Sequence, residues 1–324
     1  MCRECDALLA EAETVVLLAE AEHALVLAEA EAGVNVADSR RPLFPHEVRA
    51  GVRFGDMNEA LAESERQITR LMTVYAERLV DAVLGLLPDG ITPAQAAAVV
   101  ARVSVDPPES VQKIIDDVTG EVVEVLSQVR NYGRESVASE AKHQGVEFTS
   151  LDDESYLKRV RDNVGEVAAG IAAALWLTVA GRVNRAVNAA AAVVSKSAVK
   201  AATVGKSISK TIKDTIDQAR QATHDQHNTG RRDGAALLPD PPARIYAGEL
   251  LDGNTCDRCY AVDGYLFEDE AEAESWYPAG GPMRYCRGGK RCRGTLIYDW
   301  SNLEEEFDGG VDKDSAPYLP NIDD

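Results

Sequence analysis

The stretch Met57 to Gly90 reads MNEALAESERQITRLMTVYAERLVDAVLGLLPDG and decides the fold class. Its apolar residues recur at intervals of three, four and seven, the spacing that puts side chains on one face of an α-helix. They are Leu61, Ile68, Leu71, Tyr75, Leu79 and Leu86. Pro88, Asp89 and Gly90 then stop the pattern, because proline and glycine interrupt a helix. The stretch predicts one long helix with a single buried face.

The chain on the carboxyl side of this helix repeats the pattern. Thr92, Pro93 and Gln95 open a second helix, since threonine caps free amide groups and proline suits a first-turn position that needs no donor. A third apolar stripe consists of Val111, Ile114, Ile115, Val118, Val122, Val125 and Val129. Asp152 or Asp153 begins a further helix. We therefore expect a mainly α protein whose middle is an extended helical bundle.

The composition supports this fold class and limits the functions. Aromatic residues make up only 6% of the 324 residues, which is typical of helices packed through small side chains. A formal net charge of −20 excludes a surface that coats nucleic acid throughout, because polyanions repel each other. Any contact with DNA would have to be local.

The sequence shows neither the pattern of a membrane-spanning helix nor that of a secretory signal. The longest uncharged run, Val167 to Gly181, has about 15 residues, short of the ~20 that span a bilayer, so we interpret it as a buried alanine-rich helix and expect no membrane span. Acidic residues between Met1 and Leu18 are unlike a secretory signal. Synthesis in a reducing cytoplasm is the expectation.

Changes in composition divide the chain into five segments. We predict an acidic helical segment at 1–55, a helical bundle at 56–230, a linker at 231–243, a cysteine-rich module at 244–300 and an acidic flexible tail at 301–324. The first segment either packs on a partner or lies on its own domain. The module contains three short β-like pieces, Ile245 to Ala247, Tyr265 to Phe267 and Thr295 to Tyr298.

The last long helix carries a cationic face. Its basic residues are Lys196, Lys200, Lys206, Lys210, Lys213 and Arg220. In an acidic protein this face is a candidate contact for DNA or an acidic partner, and the alternative is an ordinary solvated face with Asp214 and Asp217 interspersed. We expect the helix to end near His224 and His227. Those histidines either share a metal ion or interact with the helix dipole.

Four cysteines in the module have the spacing of a metal site. Cys256 and Cys259 are separated by two residues, 26 residues follow, and Cys286 and Cys292 are separated by five. Two such pairs can offer four thiolates at tetrahedral corners, the arrangement of structural zinc sites. Disulfides, unligated thiols and a redox-active pair are the alternatives. We interpret Cys2 and Cys5 as incidental.

Basic residues surround these cysteines in an otherwise acidic chain. They are Arg258, Arg284, Arg287, Lys290, Arg291 and Arg293. They either offset the excess negative charge of four thiolates or form a contact for DNA or an acidic partner, and the two roles are compatible. The aromatic residues Trp276, Trp300, Tyr285 and Tyr298 are the predicted core of the module.

The module resembles a known family. The segments Ile245–Cys259, Asp263-Gly264, Tyr277–Gly281 and Cys286–Leu296 are similar to the C-terminal signature of phage Mu F-like minor head proteins, closest to versions in actinobacterial tailed phages. The resemblance covers roughly a sixth of the chain. It implies a low-copy component inside the virion head that associates with the portal or major capsid protein during procapsid assembly and DNA packaging or delivery. Many relatives have a histidine before a closing Cys-Arg-Cys, where this chain has Cys286 and a longer loop to Cys292.

The sequence favours a structural protein over an enzyme. It contains no phosphate-cradling glycine loop, nucleophile elbow or His-Glu-x-x-His pattern. Two other classes remain open: a zinc-ribbon-like nucleic-acid-binding protein that uses the basic residues, and a thiol oxidoreductase that uses Cys256 and Cys259.

Overall fold

The computed structural model describes residues 45–88, 90–148, 154–189, 194–204, 206–249, 256–278, 283–286 and 294–301. Within these ranges, the side chains of 45, 46, 154, 155, 157, 201, 204 and 206–211 are not described. The predicted mainly α fold is confirmed. Cys2, Cys5 and Cys292 lie outside the described residues, as do residues 1–44 of the predicted N-terminal segment and residues 302–324 of the predicted tail.

Long helices form most of the described chain. The helices before the sheet are α1 (Pro45–Ala50), α2 (Phe54–Gly85), α3 (Pro93–Val105), α4 (Glu109–His143), α5 (Glu154–Asn188), α6 (Lys196–Val204) and α7 (Lys206–Ala236). They are followed by β1 (Arg244–Gly248), α8 (Asp257–Val262), β2 (Leu266–Phe267), α9 (Glu270–Trp276) and β3 (Thr295–Asp299). The three predicted β-like pieces therefore form strands close to the expected positions.

The chain divides into two compact units. Among the described residues, the first unit comprises Arg66–Val123 and Gly165–Gln218, and the second comprises 45–65, Glu124–Val164 and 219–301. Helices α2, α4, α5 and α7 each contribute one stretch to each unit. Each unit is built from stretches that are distant in sequence, so the units do not correspond one to one with the five successive segments predicted from the sequence. The boundaries of those segments stay a prediction.

The first unit is a bundle of helices whose packing follows the predicted stripes. Ile68 and Leu79 of α2, and Val118 and Val122 of α4, are completely buried. Thr92 caps α3 as expected: its side chain accepts a hydrogen bond from the Gln95 amide, and the Gln95 side chain accepts one from the Thr92 amide. Local sequence therefore sets both the beginning of α3 and the buried faces of its neighbours.

The uncharged run from Val167 to Gly181 lies in α5. Leu175 and Val179 are buried, whereas Leu177 is 61% exposed. The stretch Lys158–Asn188 is long and apolar enough to cross a membrane by length and composition: its most apolar 18-residue window has a mean hydropathy of 1.6, and 44% of that window is buried. Core helices of soluble proteins pass the same test, so this is weak evidence for a span. The helix is confirmed, and the expectation of no membrane span stays a prediction.

The second unit contains an antiparallel sheet with the strand order β2-β1-β3. Along β1, Ile245 and Ala247 contact one buried cluster, and Tyr246 between them contacts another. The same alternation occurs in β3, where Tyr298 belongs to the first cluster and Ile297 to the second. Successive side chains of a strand point to opposite faces, so both faces of this sheet are covered.

Side chains of α7 and of Gln144, the residue that follows α4, cover the outer edge of β3. The Asn228 amide donates to the carbonyl of Gly294 at 2.8 Å, and the Arg231 guanidinium donates to the carbonyl of Leu296 at 3.0 Å. The Gln144 amide donates to the Tyr298 carbonyl at 3.2 Å and accepts from the Trp300 amide at 2.6 Å. Every second carbonyl of an edge strand points away from the sheet and needs such a partner. The sheet is thereby attached to α4 and α7.

The expected end of the last long helix near His227 is wrong. Helix α7 continues through Ala236, beyond Gly230 and Gly234, into the predicted linker. A Cβ atom at Gly230 would lie 1.9 Å from the Arg130 carbonyl oxygen, and one at Gly133 would lie 2.2 Å from the His227 carbonyl oxygen. These glycines let α4 and α7 approach backbone to backbone, so here glycine permits a helix contact and does not end the helix.

Candidate metal centre

Two of the cysteines occupy the beginning of α8. Cys256 is the N-cap residue, with extended backbone angles of φ −77° and ψ 158°, and its side chain makes no capping hydrogen bond. Its carbonyl oxygen accepts a hydrogen bond from the Tyr260 amide at 3.0 Å. Cys259 lies three residues further on, in the first turn. One helical turn therefore directs both sulfurs to the same side.

The third cysteine comes from the segment that follows α9. The Arg284 amide donates to the Trp276 carbonyl at 2.7 Å, and the Cys286 amide donates to the Met283 carbonyl at 2.8 Å. The Trp276 and Tyr285 rings pack edge to face with their centroids 5.5 Å apart. This turn brings Cys286 beside the beginning of α8.

The three sulfurs have the separations of metal ligands. Cys256 Sγ lies 3.5 Å from Cys259 Sγ and 3.8 Å from Cys286 Sγ, and all three atoms lie within 4.8 Å of one another. A tetrahedral zinc ion with Zn–S bonds of about 2.3 Å separates its sulfurs by roughly 3.8 Å. A disulfide would need about 2.05 Å. The three cysteines can therefore hold a metal ion together.

No protein-family model, curated protein or solved structure matches this chain. The resemblance to Mu F-like proteins thus stays a prediction that depends on the signature residues. Of the predicted ligands, Cys256, Cys259 and Cys286 are brought together, while Cys292 lies outside the described residues.

A buried cluster surrounds the candidate centre. Cys259 is 3% exposed, and Cys256 and Cys286 are half-buried at its margin. The predicted core aromatics Trp276, Tyr298 and Trp300 belong to this cluster, and Tyr285 packs against it. The sulfurs therefore lie where apolar side chains reduce their contact with water, without being fully enclosed.

Glu249 is a buried acid beside the thiols that sequence reasoning missed. It follows β1 directly and is 3% exposed. Burial raises the pKa of its carboxyl well above the usual range; a hydrogen bond from Tyr277 opposes the shift, and the negative charges of Asp263, Cys286 and Cys256 add to it. The only local sign in the sequence is an acid at the end of an apolar strand, which is also common at exposed positions.

Two of the six basic residues near the cysteines, Arg258 and Arg284, are described, and both contact Tyr285. Arg258 Nη1 donates to the Tyr285 carbonyl at 3.2 Å, and the Arg284 guanidinium carbon lies 5.8 Å from the centre of the Tyr285 ring. Arg258 thus joins α8 to the turn that carries Cys286. The other four basic residues, Arg287, Lys290, Arg291 and Arg293, lie outside the described residues.

The predicted cationic face is only partly described. Lys200 forms an ion pair with Asp81, with Nζ and Oδ1 2.7 Å apart, and Lys213 is exposed. The side chains of Lys206 and Lys210 are not described. Lys196, Lys200 and Lys213 belong to the first unit, whereas Arg220 belongs to the second. A role of this face in binding DNA or an acidic partner stays a prediction.

The two histidines of α7 do not face each other across a shared ion; each has a different side-chain partner. His224 Nε2 lies 3.2 Å from Glu65 Oε1, and both side chains are buried. His227 Nδ1 lies 3.3 Å from Asn228 Oδ1, and its ring packs on Tyr132. Both residues lie well inside α7, so the expected interaction with a helix end does not apply.

Proposed function

We propose that this chain is a structural minor head protein of a tailed phage, without enzymatic activity, that associates with the portal or inner capsid during procapsid assembly and DNA packaging or delivery. The observation that carries the proposal is the convergence of cysteines from separate signature segments. Cys256 and Cys259 come from the first segment, and Cys286 comes from the last. If the signature segments form one structural module, their cysteines have to lie close together in space, and these three do.

We further propose that the ion is Zn²⁺ and that Cys292 is its fourth ligand. The spacing of the three sulfurs supports zinc, which prefers four thiolates in a closed structural site. Four thiolates around a dication leave a net charge of about −2, which the basic residues near the cysteines can offset. When bound, the ion supplies a cross-link between α8 and the segments that follow α9.

A structural cross-link fits a role in assembly. The sheet presents no free outer edge at β3, because Asn228, Arg231 and Gln144 occupy its carbonyls. The module is thus a firmly attached part of the second unit that can display a fixed surface to a partner. The same attachment would let a force on the module reach α4 and α7.

Co-expression with the phage head genes tests this function. We expect the chain to sediment with procapsids that contain the portal, and to do so less when both Cys256 and Cys259 are serine. Arg78→Ala, which changes an exposed ion pair with Asp117, is the matched control and should sediment like the unchanged chain.

Two results would decide against the proposal. A folded chain that stays wholly free of procapsids would remove the head function. Salt-sensitive binding to DNA in the same preparation would instead favour the nucleic-acid-binding alternative.

A further inference from the structure

Glu249 joins two segments of the candidate metal centre. Its carboxylate Oε1 accepts a hydrogen bond from the Tyr277 hydroxyl at 2.6 Å. Its backbone amide donates to Asp263 Oδ1 at 2.9 Å. Both bonds are buried, so each is shielded from competition with water.

The two partners of Glu249 belong to the two segments that supply the sulfurs. Asp263 ends α8, the helix that begins with Cys256 and carries Cys259. Tyr277 ends α9, from which the chain continues to Cys286. A residue at the end of β1 therefore connects the helix with two of the cysteines to the segment with the third.

The Glu249 carboxylate lies close against the chain at Gly294. A Cβ atom at Gly294 would lie 2.3 Å from Glu249 Oε1, so only glycine fits beside the carboxylate without displacement. Gly294 leads directly into β3, which pairs with β1 along five residue pairs. The carboxylate is thus confined by the sheet on one side and by Tyr277 on the other.

We propose that Glu249 is a positioning residue of the metal centre, which holds α8 and the segment after α9 at the separation that lets Cys256, Cys259 and Cys286 bind one ion. This inference rests on the proposed metal-binding function. Metal affinity depends on how much of the ligand geometry exists before the ion arrives, because a preorganised site loses less conformational entropy on binding. Partners outside the ligand shell commonly affect metal affinity by about 10–100-fold.

The test compares the zinc affinity of matched variants by competition with a chelator. Tyr277→Phe removes only the hydroxyl that donates the hydrogen bond to Glu249, and Glu249→Ala removes the carboxylate that accepts it. Glu249→Gln keeps an oxygen acceptor at the same place. Tyr265→Phe is the matched control, because Tyr265 belongs to the same buried cluster as Tyr277 and its hydroxyl donates a half-buried hydrogen bond to another glutamate, Glu272.

We expect the zinc dissociation constant to rise about tenfold or more for Tyr277→Phe and Glu249→Ala, the range for partners outside the ligand shell. Glu249→Gln should bind zinc more tightly than Glu249→Ala, and Tyr265→Phe should match the unchanged chain. Thermal unfolding of the metal-free proteins separates positioning from general stability. The two tyrosine variants should unfold at similar temperatures while their zinc affinities differ.

The contradicting outcomes are distinct. If the unchanged chain binds zinc and Tyr277→Phe binds it equally tightly, Glu249 does not position the site, and the metal function stands. If Tyr265→Phe weakens binding as much as Tyr277→Phe, the effect is general destabilisation and the inference fails. If the unchanged, reduced chain binds neither Zn²⁺ nor Co²⁺, the metal function fails and takes this inference with it.

Discussion

At the residue scale, Arg231 is the most deeply buried of the described arginines. Its side chain is completely buried in the second unit and forms two 2.8 Å bonds to the Glu140 carboxylate. It also donates to Ser136 Oγ at 2.9 Å and to the Leu296 carbonyl. A buried guanidinium is tolerated only when its donors are satisfied in this way. Arg231 thereby joins α4, α7 and β3.

Replacing Arg231 by alanine should destabilise the second unit strongly. The change leaves Glu140 buried without its cation and the Leu296 carbonyl without its donor, and breaking a buried pair on one side costs about 3–5 kcal/mol. Urea unfolding monitored by tryptophan fluorescence measures the effect. Arg78→Ala, at an exposed pair, should cost less than about 1 kcal/mol. Equal losses for the two variants would contradict this role of Arg231.

His227 makes the protein sensitive to acid. Burial, together with the charges of Arg231 and His224, lowers the pKa of His227 to about 3, and a hydrogen bond with Asn228 opposes the shift. The unfolded chain takes up a proton at this position near pH 6.5, whereas the folded chain does so only near pH 3. The contribution of His227 to the free energy of unfolding is therefore fully present above about pH 6.5, and it is lost as the pH falls towards 3.

His227→Phe tests this acid sensitivity, because phenylalanine keeps a ring against Tyr132 but has no titrating group. The free energy of unfolding is measured by urea at several pH values between 7 and 4. We expect the difference between the unchanged chain and the variant to shift in favour of the variant as the pH falls. A difference that does not vary with pH would contradict a neutral, buried His227.

At the element scale, three glycines set the contact between α4 and α7. Gly133 on α4 and Gly230 and Gly234 on α7 each lie where a Cβ would meet the backbone of the opposite helix. Such close contacts let the Arg130 guanidinium reach Asp233 on α7 at 2.8 Å. The helix pair therefore depends on the absence of side chains at these positions.

Gly230→Ala should destabilise the protein by about 1–3 kcal/mol or more, as overpacked cores do. Gly120→Ala is the matched control in α4, because a Cβ there meets nothing within 4 Å. That change should stabilise the helix by roughly 0.5–1 kcal/mol, since alanine restricts the unfolded chain more than glycine does. Thermal unfolding compares the two. The same sign for both changes would contradict the backbone contact.

The elements that depend on local sequence could be predicted, and those that depend on distant partners could not. The stripe of α2, the Thr92 cap and the strands of the module follow from residue spacing and capping chemistry. The continuation of α7 past Gly230 depends on α4, about a hundred residues earlier in the chain, so no local pattern reveals it. In the candidate centre, cysteine spacing predicted that four sulfurs meet, and the three that are described do so, whereas Glu249 depends on a contact with Tyr277 that only the fold brings about.

At the scale of the whole molecule, the cysteine module is built into the second unit. Its sheet is covered on both faces and its β3 edge is bonded to α4 and α7. Metal binding would then add to an existing core, in contrast to small zinc modules that have no core of their own. We expect metal removal to loosen α8 and the turn at Cys286 while the long helices persist.

Elemental analysis of the protein, purified under reducing conditions without added metal, tests whether the cysteines bind zinc. We expect one zinc per chain, and a clear loss of zinc when Cys256, Cys259 or Cys286 is replaced by serine. A folded, fully reduced chain that contains no metal and takes up neither Zn²⁺ nor Co²⁺ would contradict this expectation.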